Sequence, residues 1–141
     1  MEAVVPYLMF NGNAVEALAF YAKAFDGQVL FQQTFGDSPM GAETPEEYKS
    51  KVMHATFQAG ALTFMVSDNM PGHTVANGSN TSLSLNFKSV ADIDKTFAAL
   101  SEGANVTMAL ADTFWGAKFG MLTDKFGINW MLNHDYEKKE A

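Results

Sequence analysis

The sequence predicts an α+β fold made of two βαβββ modules, each a mixed, curved sheet with its helix on the outer face. Two helix-start patterns, at Asn13 and Ser89, each follow a segment in which apolar residues alternate like those of a strand. Three further strand-like segments follow each helix, and a turn-rich stretch separates the two halves. Each module alone would leave one sheet face bare, so the two must pair within one chain or across a dimer.

The strand before each helix places its more apolar residues on one face, because side chains alternate across a strand. The residues expected to face the helices are Pro6, Leu8, Phe10, Leu83, Leu85 and Phe87. The alternate residues, expected on the opposite face, are Val5, Tyr7, Met9, Ser82, Ser84 and Asn86. That opposite face is where we expect a ligand to bind.

Each helix is predicted from a capping residue and from apolar side chains at helical spacing. Asn13 and Ser89 stand three positions before an acid, so each side chain is expected to cap its helix. Gly27 and Gly103 are expected to end the helices in left-handed caps. The expected buried positions are Ala14, Ala17, Leu18, Tyr21, Phe25, Val90, Ile93, Phe97 and Leu100.

The remaining strands and connections follow from periodicity and turn residues. The predicted strands are 28–35, 52–59, 61–67, 105–110, 118–122 and 128–133, with tight turns at Gly60 and Gly127. Thr44-Pro45-Glu46-Glu47 has the signals of a short helix start within an acidic insertion. We predict a single domain over 1–141, with module one at about 1–68, a linker at about 69–80 and module two at about 81–135.

Composition excludes several classes of function. The chain of 141 residues carries a formal charge of −7 with only nine Lys and Arg residues. The closest approach to a cationic cluster is Lys138-Lys139, which is flanked by acids, so neither nucleic acid nor a membrane surface is an expected partner. The acidic N-terminus is unlike a signal peptide, and the chain has no cysteine. A cytoplasmic protein is expected.

Several segments resemble the PhnB-like family of the vicinal-oxygen-chelate (glyoxalase/bleomycin-resistance/dioxygenase) superfamily. They are Pro6-Tyr7-Leu8-Met9-Phe10-Asn11-Gly12-Asn13, Phe20-Tyr21, Ser67-Asp68-Asn69-Met70-Pro71, Thr113-Phe114-Trp115-Gly116, Gly120-Met121-Leu122-Thr123-Asp124-Lys125-Phe126-Gly127 and Trp130-Met131. The resemblance implies the paired βαβββ fold, commonly a homodimer, and pockets in curved sheets, but no settled reaction. Related sequences carry a demethylubiquinone methyltransferase label. The chain has no glycine-rich strand-to-helix loop of the kind that binds a methyl-donor nucleotide.

Metal-dependent members of the superfamily take His and Glu ligands from two strands of each module, and the metal polarises the substrate. The resemblance places those four positions near Val5, Phe64, Ser82 and Met131. A wider check finds no His, Asp, Glu or Cys in 4–10, 62–66, 81–87 and 128–132. A divalent metal ion needs His, Asp, Glu or Cys ligands. The sequence therefore predicts a pocket without a metal and implies no cofactor.

Among the three histidines, only His54 lies within a predicted strand beside the expected pocket. It is either a hydrogen-bonding strand residue or a general acid or base, since its ordinary pKa range suits proton transfer. His73 falls in the linker and His134 at the end of the last strand, where solvated roles are expected.

The pocket wall is expected to be apolar with a few hydroxyl and amide groups, as small-molecule sites are. Phe114, Trp115 and Phe119 either line this pocket or close the core. Nine methionines in the chain would give the wall an adaptable surface. The expected ligand-binding residues are Tyr7, Met9, Phe64, Ser82, Ser84, Asn86, Phe114, Trp115, Phe119 and Met131.

Four hypotheses for function remain open on the sequence alone. The first is a protein that binds a small organic molecule in a metal-free pocket. The second is an enzyme in which His54 acts as acid or base while Ser84 or Tyr7 orients the substrate. The third is a lyase or dioxygenase that uses an unrecognised metal site. The fourth is a purely structural dimer whose pocket is filled.

Overall fold

The computed structural model describes residues 1–137, so the Lys138-Lys139 pair lies outside the described residues. The first half contains β1 (Tyr7–Phe10), α1 (Ala14–Phe25), β2 (Gln28–Thr34), β3 (Val52–Ala59) and β4 (Leu62–Asp68). The second half contains β5 (Leu83–Asn86), α2 (Val90–Leu100), β6 (Asn105–Asp112), β7 (Ala117–Thr123) and β8 (Asn129–Asp135). Short 3-10 turns occupy Gly41–Glu43 and Glu46–Tyr48, and the second begins at the predicted Pro45 signal.

The chain divides into two compact units, the first covering Met1–Ala76 and the second beginning at Asn77. The first unit holds one sheet in the order β1-β4-β3-β2, and the second holds one in the order β5-β8-β7-β6. In each sheet the strand before the helix pairs in parallel with the last strand, and the other pairs are antiparallel. The predicted fold of two βαβββ modules is therefore confirmed. The prediction of a single domain stays a prediction.

Each helix buries one face against its own sheet. In the first unit, Tyr21 of α1 meets the ring of Phe64 edge-on at 5.5 Å, and Phe64 stacks on Phe57 at 4.7 Å. In the second unit, Ile93, Phe97 and Leu100 of α2 are buried as expected. Such burial supplies most of the free energy that stabilises folded proteins.

The prediction that Phe64 lies on the face opposite α1 is wrong. Its side chain is fully buried and contacts Tyr21 of the helix. The register explains the error, because Tyr7 of β1 pairs with Met65, so Met65 shares the face of Tyr7 and Phe64 shares the face of Leu8.

The two helices are capped in different ways. Ser89 accepts a hydrogen bond from the Asp92 amide at 3.1 Å, as predicted. Asn13 makes no side-chain cap, so that prediction is wrong. Instead Asp68, at the end of β4, accepts from the amides of Gly12 at 2.9 Å and Ala14 at 3.0 Å. A carboxylate satisfies these free amides better than an asparagine amide, since it is charged and sits at the positive end of the helix.

The left-handed cap of α1 also differs from the prediction. Asp26 adopts the left-handed conformation with φ 53°, whereas Gly27 does not, and Gly103 after α2 does so with φ 69° as expected. A glycine is needed at position 27 for a different reason, because the neighbouring residues leave no room for a side chain. A Cβ built there would lie 2.5 Å from Cζ of Phe57 and 2.8 Å from the carbonyl oxygen of Gln58.

We therefore expect Gly27→Ala to lower the free energy of unfolding by about 1–3 kcal/mol, the usual cost of overpacking a filled site. Urea denaturation followed by circular dichroism measures the change. Gly78→Ala is the matched control, because a Cβ at that position meets nothing within 4 Å. A Gly27→Ala protein as stable as this control would contradict the steric explanation.

Candidate functional site

The face of the first sheet opposite α1 carries a hydrogen-bonded tyrosine and histidine. Tyr7 and Met9 are exposed on β1 while Leu8 and Phe10 are buried, as the alternation predicts. The Tyr7 hydroxyl lies 3.1 Å from Nδ1 of His54 on β3. Because the sheet order is β1-β4-β3-β2, this bond reaches across β4.

Aromatic rings flank His54 on two sides. The ring centroids of Tyr7 and Phe31 lie 5.8 Å and 6.1 Å from that of His54. His54 is half-buried, so its ring remains accessible. The arrangement fixes the imidazole between two rings and leaves Nε2 for a further polar contact, as proton transfer to a bound molecule would require.

A cavity of about 370 Å³ opens in the same unit. Its lining combines four thioethers and one aromatic ring with the polar side chains of Ser67, Asp68, Asn69 and His73. Met9 of β1 pairs with Ser67 of β4, so one predicted ligand-binding residue lies beside a hydroxyl-bearing one. The cavity is lined by Met9, Phe35, Met40, Met53, Ser67, Asp68, Asn69, Met70 and His73.

The carboxylate of Asp68 lines this cavity but is already engaged. Besides the amides of Gly12 and Ala14, it accepts from the Val52 amide at 2.9 Å. Among the described residues that line the cavity, none is a lysine or an arginine. The site therefore offers an anionic ligand no cationic side chain with which to pair.

Tyr48, in the connection between β2 and β3, contacts two residues that line the cavity. Its ring packs against Phe35 with centroids 5.3 Å apart, and its hydroxyl donates to the carbonyl oxygen of Asn69. Burial raises the pKa of Tyr48 above its ordinary value, and the charge of Asp68 raises it further. The hydroxyl thus stays protonated as a donor. Its hydrogen bond to Asn69 links the segment 35–51, which connects β2 to β3, to the end of β4.

In the second unit the predicted polar residues lie on neighbouring strands. Ser84 of β5 pairs with Met131 of β8, and the Asn133 side chain donates to Oδ1 of Asn86 at 3.2 Å. Ser82 lies just before β5 and is half-buried. The structure thus brings Ser84, Asn86 and Met131 together on one sheet.

The aromatic residues after β6 differ in how far they are exposed. Phe114 at the hairpin turn is 97% exposed and meets Trp115 edge-on at 4.9 Å. Trp115 in turn approaches Phe119 of β7 at 6.0 Å. Phe119 pairs with Asn133 and Met121 pairs with Met131, so this cluster adjoins the polar residues of β8. Of the two alternatives, core closure is wrong for Phe114.

The positions that hold a metal in the superfamily do not fit one in this chain. Phe64 lies in the core, and the residues of β4 that share the face of Tyr7 are Thr63, Met65 and Ser67. Within residues 1–137, no three His, Asp or Glu side chains form a group that could hold a metal ion. The carboxylate of Asp68 is engaged by three amides. A divalent ion of the expected kind would lack ligands here.

Sequence reasoning missed most of the cavity wall. Phe35, Met40, Met53 and Met70 come from separate segments of the chain and meet only through the fold. The abundance of methionine was the one signal in the sequence that pointed to such a wall. Within residues 1–137, no helix combines the length and the hydropathy needed to cross a membrane.

Comparison with known proteins supports one relationship over nearly the whole chain. The family model described as 3-demethylubiquinone-9 3-methyltransferase matches residues 2–133. Protein YjdN of Escherichia coli K12 is 32% identical over 136 residues, covering 91% of this chain and 92% of YjdN.

Solved structures agree with this relationship. Protein PA1353 of Pseudomonas aeruginosa is 42% identical with a TM-score of 0.84, covering 96% of this chain and 98% of its own. A PhnB protein of Bacillus cereus is 28% identical with a TM-score of 0.79, covering 94% and 99%. A glyoxylase/bleomycin resistance protein/dioxygenase domain of Frankia, 15% identical with a TM-score of 0.69 over 99% and 95%, shares the fold.

Proposed function

We propose that this chain, which belongs to the family described as 3-demethylubiquinone-9 3-methyltransferase, is a PhnB-like member of the vicinal-oxygen-chelate superfamily and binds a small organic molecule without a metal. The cavity of the first unit, with its thioether and aromatic wall, is the observation that carries this proposal. Its volume of about 370 Å³ falls within the range of roughly 300–1,000 Å³ that small-molecule pockets occupy.

The chemistry of the wall indicates what kind of molecule it would hold. Phe35 and four methionines supply apolar, polarisable surface, which favours a largely apolar ligand. Ser67, Asn69 and His73 also line the cavity and offer hydrogen-bonding groups that would orient a polar part of the ligand. The formal charge of −7 and the lack of a cation among the described lining residues favour a neutral ligand over an anionic one.

The methyltransferase name of the family is not part of the proposal. The connection from β1 to α1 is Asn11-Gly12-Asn13, with one glycine. The amides of Gly12 and Ala14 are bound to Asp68, so they are not free to hold the charged part of a methyl-donor nucleotide. The chain therefore offers no helix-start site of that kind in its first unit.

We expect Met9→Gln to weaken binding of a neutral apolar probe, N-phenyl-1-naphthylamine, by about tenfold. Once the bound probe covers position 9, an amide there that finds no partner costs about 1–3 kcal/mol, and tenfold corresponds to about 1.4 kcal/mol. Fluorescence titration of the probe measures the affinity, and native mass spectrometry of the freshly purified protein would reveal the mass of a retained natural ligand.

Met108→Gln is the matched control for this titration. Met108 lies on β6 with a similar exposure to that of Met9, 47% against 39%, and is not among the residues that line the cavity. Its variant is expected to bind the probe as the wild type does. Equal affinities for all three proteins would contradict the proposed cavity.

A second candidate function is favoured by the bond between Tyr7 and His54. In this alternative the chain is an enzyme of the superfamily, of lyase or dioxygenase type, with His54 as acid or base or with a metal at another site. If the ligand recovered by mass spectrometry is converted on incubation, we expect His54→Ala to bind it and form no product. Tyr7→Phe, which removes only the hydroxyl, should slow the conversion less. Normal turnover by His54→Ala would exclude the histidine.

Pairing of modules as a homodimer is also proposed, on the family resemblance. The two outer strands carry exposed apolar side chains, among them Leu30 and Phe31 of β2 and Val106 of β6. Such exposed edges favour pairing with another surface. Light scattering after size exclusion would test the dimer. The cytoplasmic location stays a prediction from the composition.

A further inference from the structure

We infer that the methionines of the cavity in the first unit are a site of reversible oxidation by peroxide, and that their oxidation releases the ligand. The inference rests on the proposed function of that cavity. Four of the nine methionines of the chain line this one space: Met9, Met40, Met53 and Met70. Three of them are open to solvent, with exposures of 39% for Met9, 39% for Met40 and 51% for Met70.

The composition of the chain makes its exposed thioethers, those of the cavity among them, the expected targets of an oxidant. A protein with cysteine would lose a thiolate first, because thiolates react readily with peroxide. This chain has no cysteine, so its exposed thioethers are the side chains most readily oxidised. An aqueous oxidant reaches the cavity by the same opening as the ligand.

The reaction needs only hydrogen peroxide. The sulfur lone pair attacks one peroxide oxygen, the O–O bond breaks, and proton transfer to the departing oxygen yields water. Sulfur is oxidised to the sulfoxide and the peroxide is reduced. Methionine sulfoxide reductases reverse the step, one enzyme for each sulfoxide epimer, so the change can act as a switch.

Oxidation would change the wall from apolar to polar at the point of contact with the ligand. A sulfoxide carries a strong hydrogen-bond acceptor, and an apolar ligand brings no donor to it. Among the described lining residues, Ser67 already donates its hydroxyl to the carbonyl oxygen of Asp68, which leaves Asn69 and His73 as side-chain donors for four sulfoxides. An apolar ligand would therefore leave sulfoxide oxygens without a partner in the bound state, which disfavours binding. When no ligand is bound, water can enter the cavity and solvate the same oxygen.

The test compares probe binding before and after mild peroxide treatment of the full chain. N-phenyl-1-naphthylamine is the probe, and peptide mass spectrometry locates each sulfoxide. We expect the affinity of the wild type to fall by about tenfold or more once the cavity methionines carry oxygen. Treatment with both sulfoxide reductases and a dithiol, which supplies two electrons and two protons for each sulfoxide and leaves water, should then restore it.

Variants separate the cavity from the other thioethers. A protein in which Met9, Met40, Met53 and Met70 are all changed to Leu is compared with its own untreated form, and peroxide should leave its affinity unchanged. Met108→Leu removes an exposed thioether that is not among the lining residues and should stay as sensitive as the wild type. If the fourfold variant fails to fold, restoration of the wild type by the reductases carries the test.

The outcomes distinguish the two proposals. Failure of the untreated wild type to bind the probe overturns the proposed function, and the inference with it. Binding that survives full oxidation of the four methionines overturns the inference alone. An equal loss in the fourfold variant does the same, since the loss would then come from another residue.

Discussion

Replacing Asp68 by Asn is expected to lower the free energy of unfolding of the first unit by about 3 kcal/mol, because hydrogen bonds to a buried charge are worth about 1.5–3 kcal/mol each. The carboxylate is 1% exposed and accepts from three backbone amides. Gly12 and Ala14 donate to Oδ1 and Val52 donates to Oδ2. In asparagine one of these oxygens becomes an amide nitrogen, which would face another donor.

Hydrogen exchange measures this loss separately in each unit, since it reports local opening. Amides of β3 and β4 in the Asp68→Asn protein are expected to exchange faster than in the wild type. Asp37→Asn removes an exposed carboxylate in the same unit and should leave exchange unchanged. Slow exchange in the Asp68→Asn protein would mean that the three amides find other partners.

Asp124→Asn is expected to have an effect of similar size, about 2–3 kcal/mol, in the second unit. Its carboxylate is 4% exposed and shapes the turn between β7 and β8. Oδ1 accepts from the amides of Phe126 at 2.8 Å and Ile128 at 3.1 Å, and Oδ2 accepts from Nε1 of Trp130 at 2.8 Å. In asparagine one of the two oxygens becomes an amide nitrogen, which would face one of these three donors instead of accepting from it.

Tryptophan fluorescence is a direct measure of this second change. Trp130 is buried and bonded to Asp124, and Trp115, the other tryptophan of the chain, also lies in the second unit. The urea midpoint of the fluorescence transition should fall for Asp124→Asn. Glu102→Gln is the control, since Glu102 is exposed and its contact with Lys125 is long, at 3.4 Å. An unchanged midpoint would contradict a stabilising role for the carboxylate.

Local sequence determined the elements of the fold well and the faces of the strands less well. The helices were predictable because their apolar spacing and the Ser89 cap are local features. The prediction for Phe64 came from the metal position of the resembled superfamily and did not use the alternation of side chains along β4, in which Leu62, Phe64 and Val66 share one face. Those three apolar residues mark the buried face, as the pairing of Tyr7 with Met65 requires.

The candidate site depends on contacts between distant parts of the chain. Tyr7 and His54 were each expected near the pocket, but their bond joins residues 47 positions apart. Asp68 follows the predicted strand 61–67, and its bond to Gly12 spans 56 positions. No local pattern encodes such a contact, since it depends on the register of β1, β4 and β3. The same holds for the cavity, whose methionines come from four separate segments.

The confinement of each sheet to one half of the chain determines where the chain can be cut. Every strand pairs only with strands of its own half of the chain. Within the first half, the Asn11 side chain forms hydrogen bonds of 3.1 Å and 2.7 Å with the backbone of Val75. Scission between Ala76 and Asn77 would break no strand pairing. The seam is thus a natural point at which to express the two halves as separate chains.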